Sequence, residues 1–132
     1  MRVFADTSGL YVLLDADDAD HRVVSGALAE LRDSNAVLTT TNYVVVETLA
    51  LCQRRLGMAA VRMLQDQFAP LLEVEWIGPE VHDEAGAAML AANRRDLSLV
   101  DCVSFAVMRR LGIRRAFTLD EHFREQGFEC VP

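Results

Sequence analysis

The chain has 132 residues, of which 52% are hydrophobic, with 20 acidic residues against 13 basic ones. This length suits one domain, residues 1–132, with a normal hydrophobic core, and a net charge of −7 argues against a general polyanion-binding protein. No apolar stretch approaches the ~20 residues that span a bilayer and the N-terminus has no signal-peptide pattern, so we expect a cytoplasmic protein.

The first half of the chain alternates between β-rich and helix-forming segments. Strands are predicted over Arg2–Asp6 and Ala36–Thr40, where small runs of apolar and β-branched residues occur. Turn and capping residues such as those at Asp6–Gly9 indicate where helices begin. The helices predicted here are Leu10–Leu14, His21–Asp33, Tyr43–Leu56 and Met58–Phe68.

The second half continues the alternation. The strands predicted here are Leu72–Ile77, Arg115–Leu119 and Phe128–Val131, and the helices are Pro79–Arg95, a central helix capped by Ser98 and ended by Gly112, and Glu121–Gln126. Strands separated by helices favour a mostly parallel sheet covered on both faces. The sequence therefore predicts one α/β domain, a small doubly wound sheet flanked by helices.

The central helix, which includes Leu97–Arg110, carries one acid, Asp101, among apolar residues on nearly every side. An ionised carboxylate in such a setting is costly unless a cation, hydrogen-bond donors or a metal offsets its charge. The chain contains no lysine, so nearby cations are scarce. A divalent metal is thus the leading candidate for the partner of this carboxylate.

Three further acids stand in comparable places. Asp6 and Asp120 each follow a predicted strand, and Glu47 lies in the early turns of an apolar helix, as Asp101 does. In open α/β sheets, ligands bind beyond the carboxyl ends of the strands, so all four acids could converge there. Oxygen ligands of this kind suit Mg²⁺ or Mn²⁺, and such a site can activate water for displacement at phosphorus.

Each acid also has a purely structural interpretation. Asp6 and Asp120 could be helix N-caps, and Glu47 could pair with Arg54. Asp101 is the hardest of the four to explain by structure alone. It is less favoured that all four acids have only structural roles than that any single one does.

Other acidic-site proteins and nucleotide-binding proteins can be excluded from the residues. Receiver domains and haloacid-dehalogenase-type phosphatases need a lysine near the phosphoryl group, and the P-loop needs a Gly-Lys pair. The chain lacks lysine, and Asp6-Thr7-Ser8 also departs from the Asp-x-Asp of those phosphatases. These three classes are therefore ruled out.

Arginine and cysteine usage gives weaker signals. All 13 basic residues are arginine, and eight of them form adjacent pairs, at 54–55, 94–95, 109–110 and 114–115. These pairs could contact phosphate, although complementing helix C-termini is the favoured interpretation. Cys52, Cys102 and Cys130 match no zinc pattern and are expected to be buried thiols.

Taken in order, four segments resemble the PIN domain family, in particular the VapC-type toxin ribonucleases of toxin–antitoxin pairs. The segments are Val3–Gly9, Asn42–Thr48, Leu97–Val107 and Phe117–Phe123. The resemblance covers essentially the whole chain. It implies a PIN-like fold, usually dimeric, and a metal-dependent endoribonuclease that acts on single-stranded RNA.

The resemblance also implies roles for the four acids. Asp6 and Asp101 would be the principal Mg²⁺ ligands, Glu47 would bind metal or position water, and Asp120 would hold a second metal or a water-bridged ligand. Thr7, Ser104 and Thr118 would support them through hydrogen bonds.

Two residues close to the fourth acid depart from the family pattern or could be misassigned. Many relatives have a further acid just after the fourth one, where this chain has Glu121 and His122. His122 could contact phosphate, but a helix-start or packing role is favoured. Asp96 is expected to be only a solvated residue at a helix end.

The function expected on these grounds is Mg²⁺-dependent (or Mn²⁺-dependent) hydrolysis of single-stranded RNA by the toxin of a type II toxin–antitoxin pair. The expected partners are an RNA substrate, a cognate antitoxin and a second copy of the chain, with no membrane. The alternative is a catalytically weak or inactive PIN module that binds RNA or protein.

Overall fold

The computed structural model describes residues 1–132. Its five strands are β1 (Arg2–Ala5), β2 (Val37–Thr41), β3 (Glu73–Glu75), β4 (Arg115–Phe117) and β5 (Glu129–Val131). All strand pairs are parallel, and the sheet order is β3-β2-β1-β4-β5. The direction of winding reverses between β1 and β4, so the crevice beyond these two strands is where a ligand is expected.

Seven α-helices connect the strands. They are α1 (Thr7–Leu14), α2 (His21–Asp33), α3 (Asn42–Arg55), α4 (Met58–Met63), α5 (Pro79–Ala92), α6 (Leu99–Leu111) and α7 (Glu121–Glu125). The predicted α/β class with a doubly wound parallel sheet is confirmed. No helix is both long and apolar enough to cross a membrane.

Three predicted helix boundaries differ from the observed ones by more than one residue. The first helix begins at Thr7, before the predicted start at Leu10. The fourth is α-helical only to Met63 and continues as a π-helical turn and a 3₁₀ turn up to Leu71. The fifth ends at Ala92, because Asn93 adopts the left-handed conformation that commonly ends helices.

The central helix α6 is held by its two ends and by the core. Ser98 caps its N-terminus, and Gly112 ends it at a φ of 69°. Phe105 on α6 packs edge-to-face on Phe123 of α7, with ring centroids 5.0 Å apart, and Phe123 is fully buried. This aromatic contact holds α7 against α6, and Asp101 and Asp120, near the starts of the two helices, lie close to each other.

Candidate metal centre

Asp6 is the one fully buried acid. It follows β1 directly, and its Oδ2 atom accepts hydrogen bonds from the hydroxyls of Ser8 at 3.0 Å and Thr118 at 2.9 Å. Burial raises the pKa of this carboxyl from 3.8 to about 6, because desolvation outweighs the stabilising hydroxyl donors. Ionised Asp6 therefore carries a desolvation cost that a bound cation would offset.

Ser8 and Thr118 tie Asp6 to the loop after β4. The backbone amide of Leu119 donates to Ser8 Oγ, and that of Asp120 donates to Thr118 Oγ1, both at 2.9 Å. Because the amides fill acceptor positions on both oxygens, the hydroxyl protons are available to Asp6. A supporting role was predicted for Thr118 but not for Ser8, whose only signal in the sequence is a hydroxyl two residues after the acid.

Asp101 lies in the first turn of α6 and is half-buried. It forms a capping box with Ser98: Asp101 Oδ2 accepts from Ser98 N at 3.0 Å, and Asp101 N donates to Ser98 Oγ at 3.1 Å. Burial raises the pKa of Asp101, the bonds from Ser98 oppose this, and the negative charge of Asp120 raises it further. The capping box thus uses only Oδ2 of Asp101. Its Oδ1 makes no hydrogen bond and remains available as a metal ligand.

Asp120 and His122 complete a cluster with Asp101. One carboxylate oxygen of each acid and one imidazole nitrogen of His122 lie within 4.8 Å of one another. Asp120 also caps α7, since its Oδ1 accepts from the backbone amide of His122 at 2.9 Å. The N-cap interpretation of Asp120 is therefore correct, but it does not exclude a ligand role.

Asp96 has more than the solvated role that was predicted for it. Although exposed, its Oδ2 lies 3.0 Å from Nε2 of His122. Hydrogen bonds from Arg94 and from His122 hold the pKa of Asp96 at about 2, and the contact with Asp96 is the main reason that the pKa of His122 is raised. The helix-start and packing roles that were predicted for His122 do not include this contact with Asp96.

Glu47 lies outside the Asp101–Asp120–His122 cluster. It is half-buried on α3 and lines an open concavity of about 320 Å³ together with Tyr43, Val46 and Val100. Val46 is 65% exposed, so the apolar segment predicted around Glu47 is only partly buried. Val100, the residue that precedes Asp101, lines the same concavity, which we call the rim of the site.

The other two residues with predicted supporting roles are buried but bond elsewhere. Thr7 accepts a hydrogen bond from the Thr48 hydroxyl at 3.2 Å, which links α1 to α3 beside Glu47. Ser104 donates to the carbonyl of Val100 at 2.9 Å, one turn back along α6. Neither hydroxyl contacts an acid of the site, so their predicted roles would have to be indirect.

The donor set fits a divalent cation. The negative charge of Asp101 raises the pKa of Asp6, and that of Asp120 raises the pKa of Asp101, so the three carboxylates lie near one another. Nδ1 of His122 is buried without a hydrogen-bond partner, which leaves a ligand atom at the edge of this cluster. Carboxylate oxygens with one imidazole nitrogen are an ordinary ligand set for such ions.

Comparisons with known proteins relate nearly the whole chain to one family. The family model described as PIN domain matches residues 3–129. The 23S rRNA-specific endonuclease VapC20 of Mycobacterium tuberculosis is 34% identical over 127 residues, covering 96% of this chain and 95% of the relative.

Solved structures give the same result. The crystal structure of M. tuberculosis VapC20, described as a Sarcin-Ricin loop cleaving toxin, matches with a TM-score of 0.84 at 34% identity, covering 98% of this chain and 99% of the other. FitAcB from Neisseria gonorrhoeae matches with a TM-score of 0.68 over 100% and 97% of the two chains. At 12% identity, that second match shows the fold alone.

Proposed function

The chain belongs to the PIN domain family, and from this premise we propose that it hydrolyses RNA phosphodiesters with a divalent cation bound by Asp6, Asp101 and Asp120. Its enzyme class is that of the VapC endonucleases, hydrolases that act on RNA. The observation that carries the proposal is the cluster of Asp101, Asp120 and His122 beside the buried Asp6.

The acidic residues would have two different roles, binding of the cation and orientation of the attacking water. Asp6, which follows β1, and Asp101, in the first turn of α6, would bind the cation. Asp120 would be the third carboxylate ligand of the cation. The cation, when bound, would stabilise charge on the scissile phosphate and lower the pKa of the attacking water. Glu47, at the rim with Val100, would accept a proton or orient water.

We propose 23S rRNA, and within it the Sarcin-Ricin loop, as the first substrate to test. The support is the 34% identity to VapC20 over nearly the full length of both chains. Exposed bases in an RNA loop are also easier to reach than a duplex for a small domain without insertions.

A cognate antitoxin, a homodimer and action in the cytoplasm are further parts of the proposal. A toxin that cleaves RNA needs an inhibitor in the cell that makes it, and its substrate is in the cytoplasm. Large apolar residues are exposed on the surface, including Leu71 at 75%, Trp76 at 77% and Leu90 at 75%. Such residues are available to bury against a partner or a second copy.

The decisive experiment compares the wild type with Asp101→Asn on Sarcin-Ricin loop RNA, with Mg²⁺ or Mn²⁺ and then with chelator. Asn keeps an oxygen that can accept from Ser98 N, so the capping box and the fold should persist while the charge is removed. We expect cleavage by the wild type only with metal, and a loss of at least ~100-fold in the variant.

Asp33→Asn, at an exposed residue of α2, is the matched control and should cleave like the wild type. Equal cleavage by Asp101→Asn and the wild type would overturn the site assignment. RNA binding without cleavage, unchanged by metal, would favour the alternative of an inactive PIN module.

A further inference from the structure

We propose that His122 is a ligand of the catalytic cation through Nδ1, oriented by Asp96, and that it shifts the site from Mg²⁺ towards first-row transition cations such as Mn²⁺. This inference rests on the proposed function, because it concerns the same cation. It assigns a nitrogen ligand to a site otherwise made of carboxylates, and a role to an acid outside that set.

The geometry around Nδ1 carries the first step. This atom is buried and has no hydrogen-bond partner, although it lies only 3.0 Å from Asp120 Oδ1. This distance is that of an ion pair, and it is also the spacing of two ligands of one ion. Two ligand atoms that each lie about 2.1 Å from an ion and meet there at a right angle are about 3.0 Å apart.

The other ring nitrogen carries the second step. Nε2 of His122 lies 3.0 Å from Asp96 Oδ2, and Arg94 holds Asp96 with two hydrogen bonds, at 3.1 and 2.9 Å. Arg94 also donates a hydrogen bond to Glu125 at 3.1 Å. Glu125 is on α7, as His122 is, so Arg94 links Asp96 to the helix that carries His122. A carboxylate on one ring nitrogen keeps the proton there and leaves the lone pair of the other for a metal.

Neither the capping nor the packing of α7 accounts for these contacts of the imidazole. The cap of α7 uses the backbone amide of His122, so the imidazole is not needed for it. The packing of α7 depends on the neighbouring Phe123, which is fully buried, whereas the His122 side chain is 17% exposed. The imidazole can therefore bind a metal without loss of the cap or the core packing of α7.

The chemical consequence is a change in metal preference. Mg²⁺ prefers oxygen ligands in near-ideal octahedral geometry and gives up water reluctantly. Transition cations accept imidazole nitrogen readily, and their affinity for mixed nitrogen and oxygen sites rises along the series from Mn²⁺. His122 should therefore favour Mn²⁺ over Mg²⁺ beyond what the three carboxylates alone would give.

The test is pulsed electron paramagnetic resonance of Mn²⁺ bound to the full-length protein, which detects a directly bonded nitrogen without any activity measurement. We expect nitrogen coupling in the wild type, a changed coupling when histidine is ¹⁵N-labelled, and none in His122→Asn. Asn retains an oxygen for the ion, so calorimetry should show the Mn²⁺-over-Mg²⁺ affinity ratio falling by about 10-fold or more.

Controls keep the outcomes distinct. The other two histidines, changed as His21→Asn and His82→Asn, should leave the coupling intact, and Asp96→Asn should keep the coupling but weaken Mn²⁺ binding. Mn²⁺ bound to the wild type without histidine coupling would overturn the role of His122 and leave the proposed function standing. No Mn²⁺ binding at all by the wild type would instead overturn the proposed function.

Discussion

At the scale of single residues, the buried carboxylate of Asp6 lowers the stability of the metal-free fold. Its pKa of about 6, against 3.8 for the free side chain, means that the folded chain holds a proton that the unfolded chain releases. The contribution of Asp6 to stability without metal should therefore fall as the pH rises from about 4 to about 6 and then stay level. The difference between the two pKa values corresponds to roughly 3 kcal/mol.

The substitution Asp6→Asn should remove this cost. In chelator at pH 8 we expect the variant to be more stable than the wild type by ~1–3 kcal/mol in chemical denaturation, because no charge has to be buried. At pH 4 the folded wild type is already neutral at Asp6, so the gain should shrink to a small part of that value. An equal gain at both pH values would show that the buried charge is not its cause.

At the scale of elements, the close approach of α1 to β4 determines where Asp6 lies relative to the loop that carries Asp120. Gly9 makes this approach possible, since a Cβ there would lie 2.8 Å from the carbonyl oxygen of Phe117. A backbone atom cannot move aside as a side chain can, so any larger residue would push the helix from the strand.

Gly9→Ala should therefore destabilise the fold by ~1–3 kcal/mol and weaken Mn²⁺ binding, because Asp6 and Asp120 would separate. The matched control is Gly26→Ala in α2, where no atom lies within 4 Å of the added Cβ. That change should stabilise the chain by ~0.5–1 kcal/mol through helix propensity. Thermal denaturation and metal titration of both variants give the comparison, and similar effects from the two would contradict it.

At the scale of the whole molecule, a net charge of −7 opposes RNA binding, so arginines that form no ion pair become important for it. In three of the four arginine pairs one member forms an ion pair with an acid: Arg94 with Asp96, Arg110 with Glu84 and Arg115 with Glu129. Arg95 is exposed without an ion pair and is adjacent in sequence to Asp96, beside the proposed metal site. Arg114 is equally exposed but precedes β4, at the opposite edge of the sheet.

Arg95→Ala should reduce RNA affinity and lower the slope of log affinity against log salt by about one, as expected for one lost phosphate contact. Arg114→Ala, which removes the same charge from the far edge, should leave the slope unchanged. Fluorescence anisotropy with Sarcin-Ricin loop RNA, in an Asp101→Asn background to prevent cleavage, measures both. Equal effects from the two variants would indicate a general charge effect.

Local sequence was sufficient for much of this protein. The alternation of strands and helices, and acids directly after strands, predicted the parallel sheet and the edge where Asp6 and Asp120 lie. The capping residues Ser98 and Gly112 marked the ends of the central helix correctly. These features depend on neighbours within a few residues, so they can be read before any tertiary contact is known.

Only the tertiary structure decided which side chains meet. Ser8 and Thr118 are 110 residues apart, and Asp96 and His122 are 26 apart, and each pair meets because α1, α6 and α7 pack at the same edge of the sheet. The same packing leaves Glu47 at the rim, although its apolar setting in the sequence resembled that of Asp101. Periodicity and spacing describe one element at a time, whereas distances between elements follow from how their buried faces fit together.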